Sequence, residues 1–205
     1  MSKTILTDCD GVLLDWVEGF SAWMEVRGFQ RLPDYEYHYT IEKWYDLTHE
    51  EAMEHVSIYN ASAGIGFLPP YLDSVKYVKL LNEVYGYRFI VITAMGHDPY
   101  AIELRKRNLQ EVFGDVFDDV KVVGLLKSKR EILELYEPTI WIEDKPSAAE
   151  EGHEVGHRTF LFEHGHNGDM STSHGITRVH EWKEIYNEIK ALELGTRDFC
   201  LSAKE

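Results

Sequence analysis

The feature of this sequence that most constrains its fold is a repeated alternation of short apolar runs with amphipathic stretches. The apolar runs are mostly continuous, as is typical of strands that are buried on both faces of a parallel sheet. Strands that alternate with helices form right-handed βαβ units. The sequence therefore predicts an α/β fold, a Rossmann-like three-layer sandwich with a parallel central sheet. The predicted strands are residues 3–7, 87–93, 120–125, 139–142 and 158–162.

Capping residues mark the ends of several predicted helices. Asp98 followed by Pro99 is typical of a helix start, and Gly114 is typical of the end of that helix. Ser128 with Glu131 three residues later predicts a capping box at the start of another helix. Both helices follow a predicted strand, as the βαβ arrangement requires.

The stretch 15–71 breaks the alternation because it contains no convincing strand. It carries an amphipathic pattern that starts at Trp16 and ends at Gly28, and then a helix that Thr48 and Glu51 would cap. A structureless loop of this size is uncommon within a compact domain. We therefore predict a small helical cap, inserted after the first strand.

The remainder of the chain is predicted to form one discontinuous core, made of residues 1–14 and 72–195. Its last helix spans 181–194, is apolar on one face, and is expected to end at Gly195. Residues 196–205 are predicted to be a C-terminal tail.

The net charge limits the classes of partner. The chain has 21 Lys and Arg residues against 36 Asp and Glu residues, a formal net charge of −15. Stable binding of nucleic acid depends on clustered basic residues, so this composition argues against it. A single phosphorylated small molecule is still compatible, because one metal ion and one lysine can bind one phosphate. A solvated acidic surface is the simpler explanation of the charge.

Cysteine content and hydropathy indicate the compartment. Cys9 and Cys200 lie far apart and form no CxxC motif, which argues against a disulfide framework or a zinc ribbon and favours a reducing interior. The N-terminal apolar run is too short for a signal peptide, and no run approaches the length that spans a bilayer. We expect a soluble, cytoplasmic protein that does not bind membranes. Its oligomeric state is left open, a homodimer included.

Two aspartates follow the first predicted strand at positions i and i+2. Residues at this spacing on an extended chain face the same side. Asp8 and Asp10 should therefore converge at the carboxyl end of the strand, where open α/β sheets bind ligands. Two adjacent carboxylates favour a divalent cation, and one of them can act as a nucleophile and the other as a proton carrier. A tight turn explains Asp-x-Asp-Gly equally well when the motif is taken alone.

Three later strands also end in polar residues that suit phosphate or metal. Thr93 and Ala94 combine a hydroxyl with backbone amides. Lys129 lies at a helix start, where the dipole disfavours a cation unless an anion is nearby. Glu143 and Asp144 add two acids. Each feature has a simpler explanation when taken alone: Thr93 could be a loop threonine, Lys129 part of a solvated basic patch, and Glu143 with Asp144 a helix N-cap. Four such strand ends together favour a phosphate and metal site.

In this order, the motifs resemble those of the haloacid dehalogenase-like phosphatase superfamily. The resemblance implies that Asp8, in Asp8-x-Asp10-Gly-Val, is the nucleophile and that Asp10 is the general acid and base. It also implies that Thr93 binds phosphate and that a lysine neutralises the phosphate. Mg²⁺ would be bound by Asp8, the Asp10 carbonyl and Asp144, with Glu143 in support.

Two details sharpen this resemblance. Lys129 is favoured over Lys127 as the phosphate lysine, because the lysine of the family commonly begins a helix and a helix would start at Lys129. The dehalogenases that name the superfamily lack the second aspartate of the first motif. Asp10 therefore implies phosphoryl transfer rather than dehalogenation.

More narrowly, the chain resembles the 5′(3′)-deoxyribonucleotidases. The similar segments are 66–70, 142–146 and 160–167. The chain departs from that family at Glu143, where Asp is usual, and at Ala94, where a second hydroxyl is common. The resemblance implies a Mg²⁺-dependent phosphomonoester hydrolase whose substrate is a nucleoside monophosphate. The alternatives are a phosphatase or mutase for sugar phosphates or another small metabolite, and a non-catalytic binding protein that has kept the fold.

A nucleotide substrate would need an aromatic face for its base, and such a contact contributes about 1–3 kcal/mol. Phe67, near the hinge of the cap, and Trp44 and Tyr45 within the cap are the candidates. Trp44 and Tyr45 could equally form the core of the cap itself. His164 and His166 follow the last predicted strand, where loop histidines are a simpler explanation than an additional metal site.

Overall fold

The centre of the molecule is a six-stranded parallel sheet. The computed structural model describes residues 3–202, with side chains described for residues 3–195. The order of the strands is β3-β2-β1-β4-β5-β6, and every neighbouring pair is parallel. This arrangement confirms the predicted α/β sandwich. The strands are β1 (Thr4–Thr7), β2 (Arg88–Ala94), β3 (Phe117–Val123), β4 (Ile140–Glu143), β5 (Arg158–Phe162) and β6 (Thr177–Val179).

Eight α-helices and two short 3₁₀ turns are described along the same residues. Two of the predicted helix caps are confirmed. Asp98 accepts a hydrogen bond from the Ala101 amide and Gly114 ends the same helix, while Thr48 and Glu51 form a complete capping box. The helices are α1 (Trp16–Glu25), α2 (Glu42–Tyr45), α3 (His49–Asn60), α4 (Leu72–Tyr85), α5 (Pro99–Phe113), α6 (Arg130–Leu133), α7 (Pro146–Glu154) and α8 (Trp182–Ser202), and the 3₁₀ turns are Tyr35–Tyr37 and Ala63–Gly66.

The capping box predicted for Ser128 and Glu131 is wrong. Helix α6 is only one turn long, and its N-cap is Lys129. The Lys129 amide donates instead to Glu151 of α7, at 2.8 Å, and the Ser128 hydroxyl accepts from the Arg130 amide at 3.1 Å. The carboxylate of Glu151, from the neighbouring helix, thus takes the place of Glu131. The local sequence pattern does not reveal a partner that comes from another helix.

The predicted end of the last helix at Gly195 is also wrong, because α8 continues to Ser202. A glycine inside a helix costs only about 1 kcal/mol, which is not enough to end it. Residues 203–205 of the predicted tail lie outside the described residues. The sheet also differs in two places: β6 was missed, having only three residues, and β3 begins earlier than predicted because exposed aspartates interrupt its apolar pattern at the sheet edge.

Residues 15–71 contain α1, α2, α3 and the two 3₁₀ turns, and no named strand. The two chain segments that enter and leave this region are bonded to each other. The Asp15 amide donates to the Pro69 carbonyl at 2.8 Å, and the Tyr71 amide donates to the Leu13 carbonyl at 3.1 Å. The inserted region is therefore anchored at its base, directly beyond the motif that follows β1. Its division from the core as a separate domain stays a prediction.

The hydrophobic core lies between the sheet and its helices and extends into the inserted region. Trp182 of α8 is fully buried, and its indole donates to the Val12 carbonyl at 2.9 Å, which fixes the loop after β1. In the inserted region, Phe20 stacks on Trp16 at 4.6 Å and meets Tyr59 edge-on at 5.4 Å. Across the described residues, none of the helices combines the length and the apolar character needed to cross a membrane.

Candidate active site

The carboxyl ends of four neighbouring strands open into one cavity of about 420 Å³. Asp8 follows β1, Thr93 lies at the end of β2, and Lys129 lies beyond β3 at the start of α6. Glu143 ends β4 and Asp144 follows it. All five residues line the cavity. The strand order explains this, because β2, β1 and β4 are adjacent and parallel, so that their carboxyl ends meet at one edge of the sheet.

Asp8 is held by a buried lysine. Its Oδ1 lies 2.8 Å from Lys129 Nζ and accepts the Cys9 amide at 2.7 Å. Burial raises the pKa of Asp8 well above the usual value, and the neighbouring Glu143 raises it further, while Lys129 opposes both. This carboxylate is therefore nearly desolvated and close to a fixed cation, as suits a nucleophile.

Lys129 bridges two acids. Its ammonium also lies 2.8 Å from Glu143 Oε2, and its side chain is only 5% exposed. Burial disfavours the charged lysine, but Asp8 and Glu143 outweigh burial, so that the pKa of Lys129 lies above its ordinary range. Lys127 also lines the cavity, on an exposed stretch of the loop before α6. Of the two lysines, the structure brings Lys129 to the predicted nucleophile.

The two acids after β4 have different surroundings. Glu143 is fully buried, and its Oε1 accepts the amides of Asp144 and Lys145, each at 3.0 Å. For Asp144, burial together with the charge of Asp8 raises the pKa to about 7. Gly11 makes room for it: a Cβ at Gly11 would lie 2.1 Å from Asp144 Oδ2, and the backbone there has a φ of +77°. Glycine is therefore required at this position for two reasons.

Asp8, Glu143 and Asp144 form a cluster that fits a divalent cation. Each offers a carboxylate oxygen, and the three oxygens lie within 4.8 Å of one another. Oxygen ligands of this kind suit Mg²⁺. Burial raises the pKa of each of the three carboxyls, and repulsion from a neighbouring acid of the cluster raises it further.

Asp10 lies beside this cluster, and its side chain has a partner that the sequence analysis missed. Arg105 of α5 binds both carboxylate oxygens, Nη1 bonding to Oδ1 and Nη2 to Oδ2 at 3.1 Å. A signal existed in the sequence: Arg105 occupies the buried face of α5 together with Ala101, Leu104 and Asn108, where an apolar residue is expected.

Thr93 presents a hydroxyl without a protein partner. The residue is fully buried, its Oγ1 has no hydrogen-bond partner among the described residues, and it lines the cavity. A buried polar atom left unpaired is costly unless a ligand or water satisfies it. Ala94 lines the cavity beside it. Both predicted phosphate-binding residues of the second motif are therefore placed near Asp8 and Lys129.

Comparison with known structures identifies the fold. A haloacid dehalogenase-like family hydrolase, SP0104 from Streptococcus pneumoniae, has a TM-score of 0.64 and 15% sequence identity, over 92% of this chain and 100% of that chain. The L-2-haloacid dehalogenase of Xanthobacter autotrophicus has a TM-score of 0.60 and 13% identity, over 93% and 99% of the two chains. This chain has the haloacid dehalogenase-like fold. At these identities the likeness defines the fold alone.

Other comparisons add less. CbbY from Rhodobacter sphaeroides, in complex with xylulose-(1,5)-bisphosphate, has a TM-score of 0.57 and 14% identity, over 89% of this chain and 95% of that chain. An uncharacterised 32.4 kDa protein from the Gp30-rIII intergenic region of Enterobacteria phage T4 is 25% identical over 199 residues, 92% of this chain and 70% of the phage protein. No family model matches the sequence.

In this haloacid dehalogenase-like fold, the aromatic residues predicted for the cap lie away from the cavity. Phe67 is 69% exposed and lies beneath the guanidinium of Arg107, 5.7 Å from it. Trp44 and Tyr45 are buried within the inserted region, where Trp44 donates to the His38 carbonyl at 2.6 Å. None of the three lines the cavity. Trp44 and Tyr45 therefore belong to the core of the inserted region, which is the alternative interpretation given in the sequence analysis.

Trp16 and Tyr39 line the cavity instead. They also line an adjoining, mainly apolar chamber of about 300 Å³, together with Ile41, Met53 and Val56. Trp16 is fixed there because its indole donates to Asn60 Oδ1 at 2.8 Å. The sequence carried a signal for Trp16, since it is the first residue of the helix that follows the aspartate motif.

His164 and His166 belong to a stack of rings rather than to a metal site. His164 lies 2.8 Å from the Gly11 carbonyl through Nε2, and its ring is 5.5 Å from that of His166. His166 in turn packs on Tyr39 at 5.4 Å. Burial lowers the pKa of both, that of His166 to about 4. Among the described residues, neither is part of a cluster of three metal-ligating side chains.

Proposed function

We propose that this protein is a Mg²⁺-dependent phosphomonoester hydrolase that forms an aspartyl-phosphate on Asp8. The observation that carries the proposal is the meeting of Asp8, Asp10, Thr93 and Lys129 with an acidic cluster in one cavity of about 420 Å³. The cavity thus combines a buried carboxylate nucleophile, a second carboxylate for proton transfer, and two groups that suit phosphate oxygens.

The metal would be held by Asp8 and Asp144, with the main-chain carbonyl of Asp10 as the third protein ligand implied by the family resemblance. Glu143 belongs to the same acidic cluster, and we assign it a supporting role because its two oxygens are already engaged by backbone amides and by Lys129. When bound, Mg²⁺ supplies positive charge that offsets the charge on the phosphoryl oxygens.

The reaction divides into two displacements. In the first, an Asp8 oxygen bonds to phosphorus, the bond from phosphorus to the leaving oxygen breaks, and Asp10 gives its proton to that oxygen. In the second, Asp10 takes a proton from water, the water oxygen bonds to phosphorus, and the bond to Asp8 breaks. Lys129 and the Thr93 hydroxyl stabilise the charge on the phosphoryl group in both steps.

Dehalogenation is the rival reaction on this fold, because one of the similar structures is a haloacid dehalogenase. Asp10 and the acidic cluster favour phosphoryl transfer. A displacement of halide needs no proton donor at the leaving atom, whereas an alkoxide leaving group needs one. We assign that proton to Asp10, and its position on the wall of the same cavity as Asp8 supports the assignment.

For the substrate class, we propose a nucleoside monophosphate. The support is the apolar chamber beside the cavity, where the Trp16 and Tyr39 rings could flank a planar base. A sugar phosphate is the second candidate, since CbbY of the same fold was crystallised with a sugar bisphosphate. A sugar would leave the apolar walls formed by Ile41, Met53 and Val56 without a partner.

A panel of nucleoside monophosphates and sugar phosphates, assayed with Mg²⁺ and with EDTA, tests the proposal. We expect Mg²⁺-dependent release of phosphate, with kcat/KM highest for nucleotides. A higher kcat/KM for sugar phosphates would show that they, and not nucleotides, are the substrate class. Absence of any Mg²⁺-dependent turnover would favour a non-catalytic binding protein.

The nucleophile is tested by Asp8→Asn. We expect this variant to lose turnover of every substrate in the panel while its circular dichroism spectrum and unfolding transition stay close to those of the wild type. Appreciable residual hydrolysis would contradict the assignment of Asp8.

A further inference from the structure

Arg105 is a buried cation whose guanidinium bonds to Asp10 and Cys9 rather than to the proposed nucleophile, among the residues that the structure describes. Its side chain is fully buried, whereas that of Asp10 is 24% exposed and lines the cavity. The guanidinium therefore lies behind Asp10 as seen from the cavity. A bound substrate can reach Asp10 but not Arg105.

The contact between the two residues is specific in geometry. Nη1 and Nη2 each bind a different oxygen of the Asp10 carboxylate, and Nη1 also donates to Cys9 Sγ at 2.9 Å. A two-point contact of this kind fixes the plane of a carboxylate as well as its position. Each carboxylate oxygen keeps a second lone pair that Arg105 does not use, so that it can accept from a group on the cavity side.

The helix that carries Arg105 is itself rigidly held. Asn108, one turn further along α5, accepts the Leu68 amide at 3.0 Å and donates to the Leu68 carbonyl at 3.3 Å. Leu104 packs closely on Gly66, where an added Cβ would lie 3.0 Å from the leucine Cβ. Helix α5 is thus fixed against the segment that returns from the inserted region. Arg105 is presented to Asp10 from a defined position.

We propose that Arg105 is a positioning residue that holds Asp10 in the orientation required for proton transfer to the leaving oxygen. The inference rests on the proposed phosphomonoester hydrolysis and deepens it. In the first displacement, the proton on Asp10 must reach the leaving oxygen as its bond to phosphorus breaks, and the carboxylate left behind stays paired with Arg105. A carboxylate free to rotate would make that transfer less often.

Leaving groups of different basicity distinguish this role from a structural one. An alkoxide needs the proton from Asp10 as it departs, whereas 4-nitrophenolate leaves without one. The parameter kcat/KM reports the steps up to departure of the leaving group. Loss of proton transfer therefore lowers kcat/KM for alkyl phosphates selectively, and loss of folded protein lowers it equally for both kinds of substrate.

The experiment compares Arg105→Met, Arg105→Lys and the wild type on 4-nitrophenyl phosphate and on an alkyl phosphomonoester that the wild type hydrolyses. General acid catalysis contributes about 10²–10⁴-fold, so Arg105→Met should lower kcat/KM for the alkyl substrate about 10²-fold and for the aryl substrate less than about threefold. Arg105→Lys keeps the positive charge but lacks the two planar NH₂ groups that bind both carboxylate oxygens. Its kcat/KM for the alkyl substrate should therefore lie between those of the wild type and Arg105→Met. Arg107→Met on the exposed side of the same helix is the matched control and should change neither value.

Equal losses on the two substrates, or no loss on either, would overturn the positioning role while the proposed function stands. Hydrolysis of neither substrate by the wild type would overturn the proposed function, and this inference with it. If Arg105→Met does not give folded protein, as judged by circular dichroism, Arg105→Lys decides the question by the same ratio.

Discussion

Replacement of Lys129 by methionine is the perturbation whose consequence the structure defines best. The variant keeps the length and the apolar stem of the side chain but removes its charge. Lys129 Nζ lies 2.8 Å from both Asp8 and Glu143, and at an effective dielectric constant of 20 each contact corresponds to about 6 kcal/mol of Coulomb attraction. Most of that attraction is offset by the desolvation of the charges, and removal of one partner of a buried pair costs about 3–5 kcal/mol.

The cost should depend on pH, because two buried carboxyls lose their cation. Burial already raises the pKa of Asp8 and of Glu143. Between the unfolded and the raised folded pKa values the folded state binds more protons, so stability falls as pH rises through this window and is higher below it. Loss of Lys129 raises both folded values further. The variant should therefore be destabilised most at pH 8 and least near pH 5.

The assay is urea unfolding followed by tryptophan fluorescence in EDTA, at pH 5.5 and pH 8. Lys127→Met is the matched control, since Lys127 is exposed and surface substitutions change stability by about 0.5 kcal/mol or less. Adding Glu143→Gln to the Lys129 variant should restore part of the stability at pH 8, because an amide oxygen still accepts the two backbone amides. A loss under about 1 kcal/mol, or one that is equal at both pH values, would refute the reasoning about buried charge.

Three further predictions concern metal binding and the substrate. Gly11→Ala should weaken Mg²⁺ binding and destabilise the loop, because its Cβ would lie 2.1 Å from Asp144 Oδ2 at a positive φ; isothermal titration with Mg²⁺ checks this, and unchanged affinity contradicts it. In the wild type, the same titration should give a Mg²⁺ affinity that falls about tenfold per pH unit below pH 7. The reason is that Mg²⁺ competes with the proton on Asp144, whose pKa is raised to about 7. A constant affinity from pH 5.5 to 8 would argue against Asp144 as a ligand. Trp16→Leu should raise KM for nucleoside monophosphates about tenfold or more, because one stacking contact with the base is lost, and should leave KM for 4-nitrophenyl phosphate nearly unchanged. Equal changes in the two KM values would mean that the base binds elsewhere.

Much of the sheet and the strand-end residues could be predicted because they depend on local pattern. Buried parallel strands appear in the sequence as continuous apolar runs, and their carboxyl ends meet at one edge whatever the loops do. Asp8 and Thr93 could be placed in one site on that basis alone. The partner of Asp10 could not, because Arg105 is nearly a hundred residues away, and only the packing of α5 brings it there.

The cap was harder to interpret for a related reason. Aromatic residues serve both as core and as ligand contacts, and composition does not distinguish these roles. Trp44 and Tyr45 turn into the interior of the inserted region, while Trp16 and Tyr39 reach the cavity. The path of a strand-free insertion depends on many weak contacts, so the orientation of each ring could not be read from spacing.

The charges of the site, taken together, favour the binding of a divalent cation there. Five carboxylates line the cavity, those of Asp8, Asp10, Glu143, Asp144 and Glu151, and so do three lysines, Lys127, Lys129 and Lys145. Within the cluster of Asp8, Glu143 and Asp144, Lys129 pairs with two of the three acids, while Arg105 pairs with Asp10. When all three acids of this cluster are ionised, Lys129 leaves an excess of two negative charges in it. One Mg²⁺ would balance that excess; burial, together with the charge of Asp8, raises the pKa of Asp144 to about 7. Because Arg105 pairs with Asp10 separately, a cation held by Asp8 and Asp144 would leave the contact between Asp10 and Arg105 in place.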